Sequence, residues 1–246
     1  MDHMLSIRAG RGEAIRVSDL IGHDISLLSG LTKQVDFALV LALTRTAQRV
    51  KEALVAEMKS AFDRPTPHTL KSLHVQPATK RSMEAGVWIT DEAVKGVPAV
   101  NYLYPQTHGG SRKDKSTEVA LRRYGHLPNG MQAVPGEGAR LNQYGNITAG
   151  RYAKILSSLR IQWKDSAQNR NSDKTGSMFV GRPGGAPLGV WERAGRSVRP
   201  MLIFAEAPTY TSRFDFNGVA RRTVKRVFAT EFELALMRAF KTARSR

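Results

Sequence analysis

Between Leu31 and Trp88 the chain carries a helical pattern that ends on two prolines, and no other stretch restricts the fold as tightly. Val35, Leu39, Leu43, Val50, Leu54, Met58 and Phe62 fall in register with three- and four-residue steps, the spacing that stacks side chains along one helix face. A helix over Thr32 to Phe62 with one long buried face follows. Pro65 and Pro67 lack an amide donor and push the residues before them out of the helical region, so the chain leaves in an extended direction. Strands are expected next. Ser72 to Gln76 sets Leu73 and Val75 on one side, and Gly86 to Thr90 sets Val87 and Ile89 on one side with Trp88 on the other, with Pro77 to Ala85 as the connecting hairpin loop.

The far end of the chain repeats this alternation. Met178 to Val180, Gly189 to Arg193 and Val198 to Phe204 read as strands, the last two joined by an Ala194-Gly195-Arg196 turn. A helix over Asn217 to Phe240 carries an apolar stripe of Val224, Phe228, Phe232, Leu236 and Phe240. Joined with the strands around Leu73 and Val87, these segments predict an α+β fold: one antiparallel or mixed sheet covered on one face by the two long helices, with long loop excursions.

Between the ends the pattern is punctuated. Pro98 to Gly110 is turn-rich with paired tyrosines, Ser116 to Tyr124 reads as a short helix closed by Gly125, and His126 to Asn146 is rich in glycine and proline and reads as a long surface excursion. Thr148 to Leu159 is a further helix, and Lys164 to Gly176 is a polar stretch that reads as an arm. Nearer the start, Leu5 to Arg8 reads as a short strand and Val17 to Ser29 as an irregular or short helical lead-in. The chain is therefore expected to form a single α+β domain over 1–246, with a candidate loop-rich insertion at about 98–176.

Composition narrows the partners. With 246 residues, 41% of them hydrophobic, the chain can bury a sizeable core. No window approaches the ~18 apolar residues that would cross a bilayer, and the start lacks a charged segment followed by an apolar signal core, so a soluble, non-secreted chain is expected. Zero cysteines exclude disulfides, thiolate metal sites and cysteine nucleophiles, and suit assembly in a reducing cytoplasm. The net charge of +17 divides unevenly, +5 over residues 1–123 and +12 over 124–246, and favours polyanions or acidic protein surfaces. The densest basic group is Arg221, Arg222, Lys225 and Arg226, which a helix would place beside or opposite its apolar stripe. These four are the candidate surface for DNA or for an acidic partner, and Trp88, Tyr102 and Tyr104 are candidate interface anchors.

Catalytic patterns do not assemble in the sequence. His3, His23, His68, His74, His108 and His126 are scattered, without a His-Glu-x-x-His arrangement or a clustered set of carboxylates to complete a metal site. Asp91 and Glu92 with Lys95 have the residue types of a metal-dependent nuclease, but adjacent acids alternate across a strand and commonly decorate a turn. Gly136 and Gly138 lack the Gly-Lys-Ser/Thr that follows in a phosphate-binding loop, and Gly181 to Gly185 reads as a turn. No enzyme activity, cofactor or metal is expected.

Two segments carry a resemblance. Ala42-Leu43-Thr44-Arg45-Thr46-Ala47 in a helix, followed by Pro65-Thr66-Pro67-His68-Thr69-Leu70-Lys71-Ser72-Leu73 as turn and strand, resembles the minor tail protein Z and tail-completion families of tailed phages. Pro200 to Phe204 before the closing helix matches the end of that layout. The resemblance covers roughly Leu31 to Pro105 and Pro200 to Phe240, and its motifs concern packing rather than chemistry. It implies a structural virion protein at the head-tail junction or head-proximal tail end, assembled in the host cytoplasm. Such a protein would form an oligomeric ring that meets portal, connector or tail-tube proteins. The basic surplus would then line the genome's channel or meet acidic faces of those partners. A sequence-independent nucleic-acid-binding protein is the alternative, since charge supports it without any recognisable reading motif.

Overall fold

The computed structural model describes residues 14–21, 33–92, 97–161 and 177–243 and has an α+β fold. The expected strand at Leu5 to Arg8, the arm at Lys164 to Gly176 and most of the lead-in after Ile21 lie outside the described residues. The chain divides into two compact units, one made of residues 1–110 and 210–246 and the other of 111–209. The sequence had instead placed a loop-rich insertion at about 98–176 within one domain.

In the first unit, β1 (Ala14–Arg16) leads into α1 (Val17–Ile21), followed by α2 (Lys33–Ala61), α3 (Pro67–Leu70), β2 (Leu73–Gln76), β3 (Gly86–Ile89), α4 (Ala99–His108) and, after the second unit, α7 (Phe216–Ala243). α2 buries Leu39, Leu43, Val50, Leu54 and Met58 completely, while Phe62 at its end is partly buried, 5.7 Å from the Phe214 ring. Thr66 then caps α3, its Oγ1 accepting from the Thr69 amide at 3.2 Å with Pro67 in the first turn, so the stop is a single helical turn. Ser72 donates to the Thr69 carbonyl at 2.7 Å and β2 begins at the next residue.

β3 is the centre of a three-stranded antiparallel sheet, with β1 and β2 on its two edges and Trp88 opposite both Ala14 and His74. Val87 and Ile89 face the core and are buried. α4 corrects the turn-rich reading of Pro98 to Gly110. Ala99, Val100 and Leu103 give one buried face, and Pro105 sits in the last turn, where its missing amide removes only one hydrogen bond. Gly109, at φ 77°, then closes the helix.

The second unit contains α5 (Ser116–Arg123), β4 (Met131–Pro135), α6 (Ala149–Ser158), β5 (Met178–Gly181), a 3-10 turn at Pro183–Gly185, β6 (Gly189–Ala194) and β7 (Ser197–Glu206). Its sheet is antiparallel in the order β4-β7-β6-β5. Leu121, Ile155, Leu156, Val190, Met201 and Leu202 form its core. A bulge between Val190 and Trp191 shifts the β6–β7 register from Val190 opposite Leu202 to Trp191 opposite Pro200. Gly189 is required beside it, because a Cβ there would lie 2.2 Å from the Leu202 carbonyl oxygen.

Two sheets therefore replace the single sheet expected from the sequence. The short β1 completes one. The other is extended by β4, which lies inside the glycine- and proline-rich stretch read as a surface excursion. Its Gln132 and Ala133 are buried, because Ala133 faces the second core and its amide donates to a buried carboxylate. The two long helices also do not share one sheet face. α7 packs chiefly along α2 and α1, whereas α2 also packs against β2 and β3.

Candidate interface surfaces

Asp215 starts α7 by accepting from the Gly218 amide at 2.8 Å, and its other oxygen accepts from Arg222 Nη1 at 3.0 Å. Val219, Ala220, Thr223 and Val224 face inward and are buried, which leaves Arg221, Arg222, Lys225 and Arg226 exposed on the other side of the same turns. At 100° per residue the four cations span an arc of about 140°. The candidate basic surface is thus one contiguous face of one helix, with only Arg222 drawn toward a carboxylate, since the remaining ion pairs of the described residues involve other side chains.

Further along α7 the inward positions change character. The apolar stripe read from the sequence is buried only at Val224; Phe228, Phe232 and Leu236 are partly buried and Phe240 is exposed. The inward positions are Glu231, Ala235 and Ala239. Ala235 and Ala239 pack on Ala38 and Ala42 of α2, and small side chains let the two helix backbones approach closely, so the larger residues are turned to the flanks. On the outer side Leu234, Met237 and Phe240 are 47%, 61% and 52% exposed. One helix therefore presents a cationic first half to solvent and, in its second half, three exposed apolar side chains interleaved with the charged Glu233, Arg238 and Lys241.

Glu231 was not distinguished by the sequence reading. It is buried on α7, 3.3 Å from Arg49 Nε and 3.9 Å from Arg45 Nη1, both on α2. Arg49 also reaches Glu52 at 3.1 Å, and these two carboxylates, Glu52 first, raise the pKa of its guanidinium. A glutamate four residues before Ala235 on one long helix, with two arginines four residues apart on the other, is the pattern that could have signalled the contact. Arg45 lies in the Ala42–Ala47 segment on which the resemblance rests.

The three aromatic candidates sit in different settings. Trp88 projects from the sheet face opposite Val87 and Ile89; it is partly buried and stacks on His74 at 5.9 Å. Tyr102 is half-buried, its hydroxyl 3.2 Å from both Thr69 Oγ1 and His68 Nδ1, and burial raises its pKa against the opposing effect of the Thr69 hydrogen bond. Tyr104 is 51% exposed and stacks on His108 at 4.3 Å. Two positions apart on α4, the tyrosines point about 200° from one another and cannot form one patch.

In the second unit, Glu118 is fully buried and accepts four hydrogen bonds: Arg112 Nη1 at 2.7 Å, Arg112 Nη2 at 2.5 Å, and the amides of Lys115 at 2.6 Å and Ala133 at 2.8 Å. Burial pushes its pKa up, but the Arg112 hydrogen bonds and the two amides outweigh burial and hold it below the usual carboxylate range. The group ties the start of α5 to β4. It also explains why a charged residue occurs in a core position, which the sequence left unassigned.

Asp91 and Glu92 are both exposed at the end of β3, and Lys95 lies outside the described residues. Among the described residues no group of three His, Asp or Glu side chains is placed to hold a metal ion, and no helix is long and apolar enough to cross a membrane. Comparison of the chain with protein-family models, with curated proteins and with solved structures returns no match.

Proposed function

We propose that the chain is a structural virion protein of a tailed phage, forming an oligomeric ring at the head-tail junction or head-proximal tail end. The observation that carries this reading is the divided outer face of α7. Four exposed cations occupy its first half, and its second exposes Leu234, Met237 and Phe240 among Glu233, Arg238 and Lys241, the mixed apolar and charged make-up of a surface suited to a protein neighbour, beside a half suited to an anionic one. The helix, proline turn and strand over Lys33 to Gln76 also match the order of elements that the tail-completion resemblance implies. In this role the protein needs no cofactor or catalytic centre. Its partners are copies of itself and portal, connector or tail-tube proteins, with non-specific contact to packaged DNA where the cations face the channel.

Native mass of the full chain, alone and with portal or tail-tube proteins, tests the proposal. A discrete ring or a defined complex supports it. A stable monomer that forms no complex overturns it, and tight salt-dependent DNA binding by that monomer would favour the nucleic-acid-binding alternative, for which the same four cations are the supporting observation.

A further inference from the structure

Leu234, Met237 and Phe240 follow one another at three-residue steps along the second half of α7 and are exposed. Glu233 and Lys241, also exposed, stand four residues before and four residues after Met237. At 100° per residue, Glu233 and Lys241 lie about 40° to either side of Met237, and Leu234 and Phe240 about 60°, so the five side chains share a sector of about 120° centred on Met237. Eight residues, or about 12 Å of helix, separate Glu233 from Lys241, beyond the reach at which charges pair along one helix. Neither has an ion pair among the described residues. Arg238 points about 100° away from Met237, at the margin of the sector.

The sector is symmetric about Met237 in spacing and opposite in charge at its two ends. A second α7 related to the first by a two-fold axis at Met237 runs antiparallel to it, so Met237 meets its own counterpart, Leu234 stands level with Phe240 of the partner subunit, and Glu233 stands level with Lys241 of the partner subunit. The last two contacts each occur twice, which covers the three apolar side chains and pairs both charges across the seam. Ala243, the last described residue of α7, comes level with Glu231 of the partner subunit, so Arg221, Arg222, Lys225 and Arg226 extend past the end of the partner helix and do not face their own counterparts. A parallel pair would set Glu233 against Glu233 and the four cations against four cations. A partner of a single charge sign would leave either Glu233 or Lys241 against a like charge. Opposite charges at symmetric positions are what a second copy supplies.

We infer that the second half of α7 is a self-association surface whose occupant is a second copy of this chain, paired antiparallel about Met237. The inference names the protein neighbour of the proposed function and rests on the same helix face, but not on the ring, because a two-fold contact closes at two copies and does not by itself generate one. The test is sedimentation velocity of the full chain over a range of concentrations. The wild type is expected to pass from monomer to dimer as concentration rises. Met237→Lys, which sets like charges on the two-fold axis, should abolish the dimer at unchanged helicity and melting temperature of the monomer, since Met237 is exposed there. Glu233→Lys and Lys241→Glu, each alone, should weaken association by about tenfold or more, because each sets like charges across both seams. Mixing these two variants should restore it, since every pair across the seam is then of opposite sign. Arg221→Gln/Lys225→Gln, beyond the overlap, should leave the dimer intact. A wild type that stays monomeric throughout, or association that survives Met237→Lys, overturns the inference. A ring whose mass Met237→Lys leaves unchanged overturns it as well while the ring reading stands, whereas a dimer lost in Met237→Lys, with no ring formed, supports it and counts against the ring.

Discussion

Glu231 of α7 lies 3.3 Å from the Nε of Arg49 on α2, at the point where the two long helices are otherwise joined by alanines. The carboxylate is buried while the arginine is exposed, so the contact fixes the axial position of α7 more than it adds to stability. Sliding α7 by one turn would put an apolar residue against the two arginines and strand the carboxylate. Glu231→Lys, which sets like charges across this seam, is expected to cost about 2 to 3 kcal/mol, read as a lowered denaturant midpoint. An unchanged midpoint would mean the helices hold their register without the pair.

Ala235→Leu tests the neighbouring contact. The larger side chain has no room between α2 and α7, and overpacking of about 1 to 3 kcal/mol is expected, with loss of cooperativity in the first unit's melting. Leu234→Ala, one residue away but outward-facing, should leave the melting temperature of the isolated chain within experimental error.

How far the fold could be read follows from where periodicity and packing agree. Leu39, Leu43, Val50, Leu54 and Met58 recur at helical steps and were placed by spacing alone, as were the strands at Leu73, Val87, Val190 and Leu202 by their alternation. α7 shows the opposite case. Its phenylalanines form the more conspicuous stripe, but a close helix pair selects small residues, so Ala235 and Ala239 point inward and the large rings move to the flank. β4 was hidden because Pro128, Gly130 and Gly136 flank a strand only five residues long that itself ends on Pro135. The four α7 cations were legible because charge leaves a plain mark in sequence.

Glu118 gives a pH-dependent prediction. Its folded-state pKa lies below the unfolded value, so its stabilisation is fully present above the ordinary glutamate range and is lost as pH falls through the lowered pKa. Glu118→Gln should lower stability at neutral pH by about 3 kcal/mol, because Arg112 loses its charged partner, and should flatten the dependence of stability on acid pH. Denaturation at neutral and at strongly acidic pH, followed by the buried Trp191, separates these effects. Equal acid sensitivity in both proteins would show that other carboxylates dominate.

Trp88→Ala should cost less than the ~3 to 5 kcal/mol of a fully buried aromatic, nearer about 1 to 2 kcal/mol, because the ring stacks on His74 at a partly exposed sheet face. A larger fall in assembly than in monomer stability would place that face in an interface.

Gly189→Ala should be more damaging than its single methyl implies. The added Cβ would collide with the Leu202 carbonyl oxygen beside the bulge, and a loss of about 1 to 3 kcal/mol is expected from equilibrium unfolding of the second unit.

Gly110 and Tyr210 exchange backbone hydrogen bonds of 2.9 Å in both directions. The chain therefore leaves the first unit and returns to it at adjacent points, a few ångströms apart, with residues 111–209 between them. A doorway of that kind admits cargo of almost any length, because closing a longer loop costs only a logarithmic increment of entropy. The first unit can be regarded as a host, and the second as a cassette that could be shortened, exchanged or replaced by a tight turn while the host's helices and sheet keep their contacts.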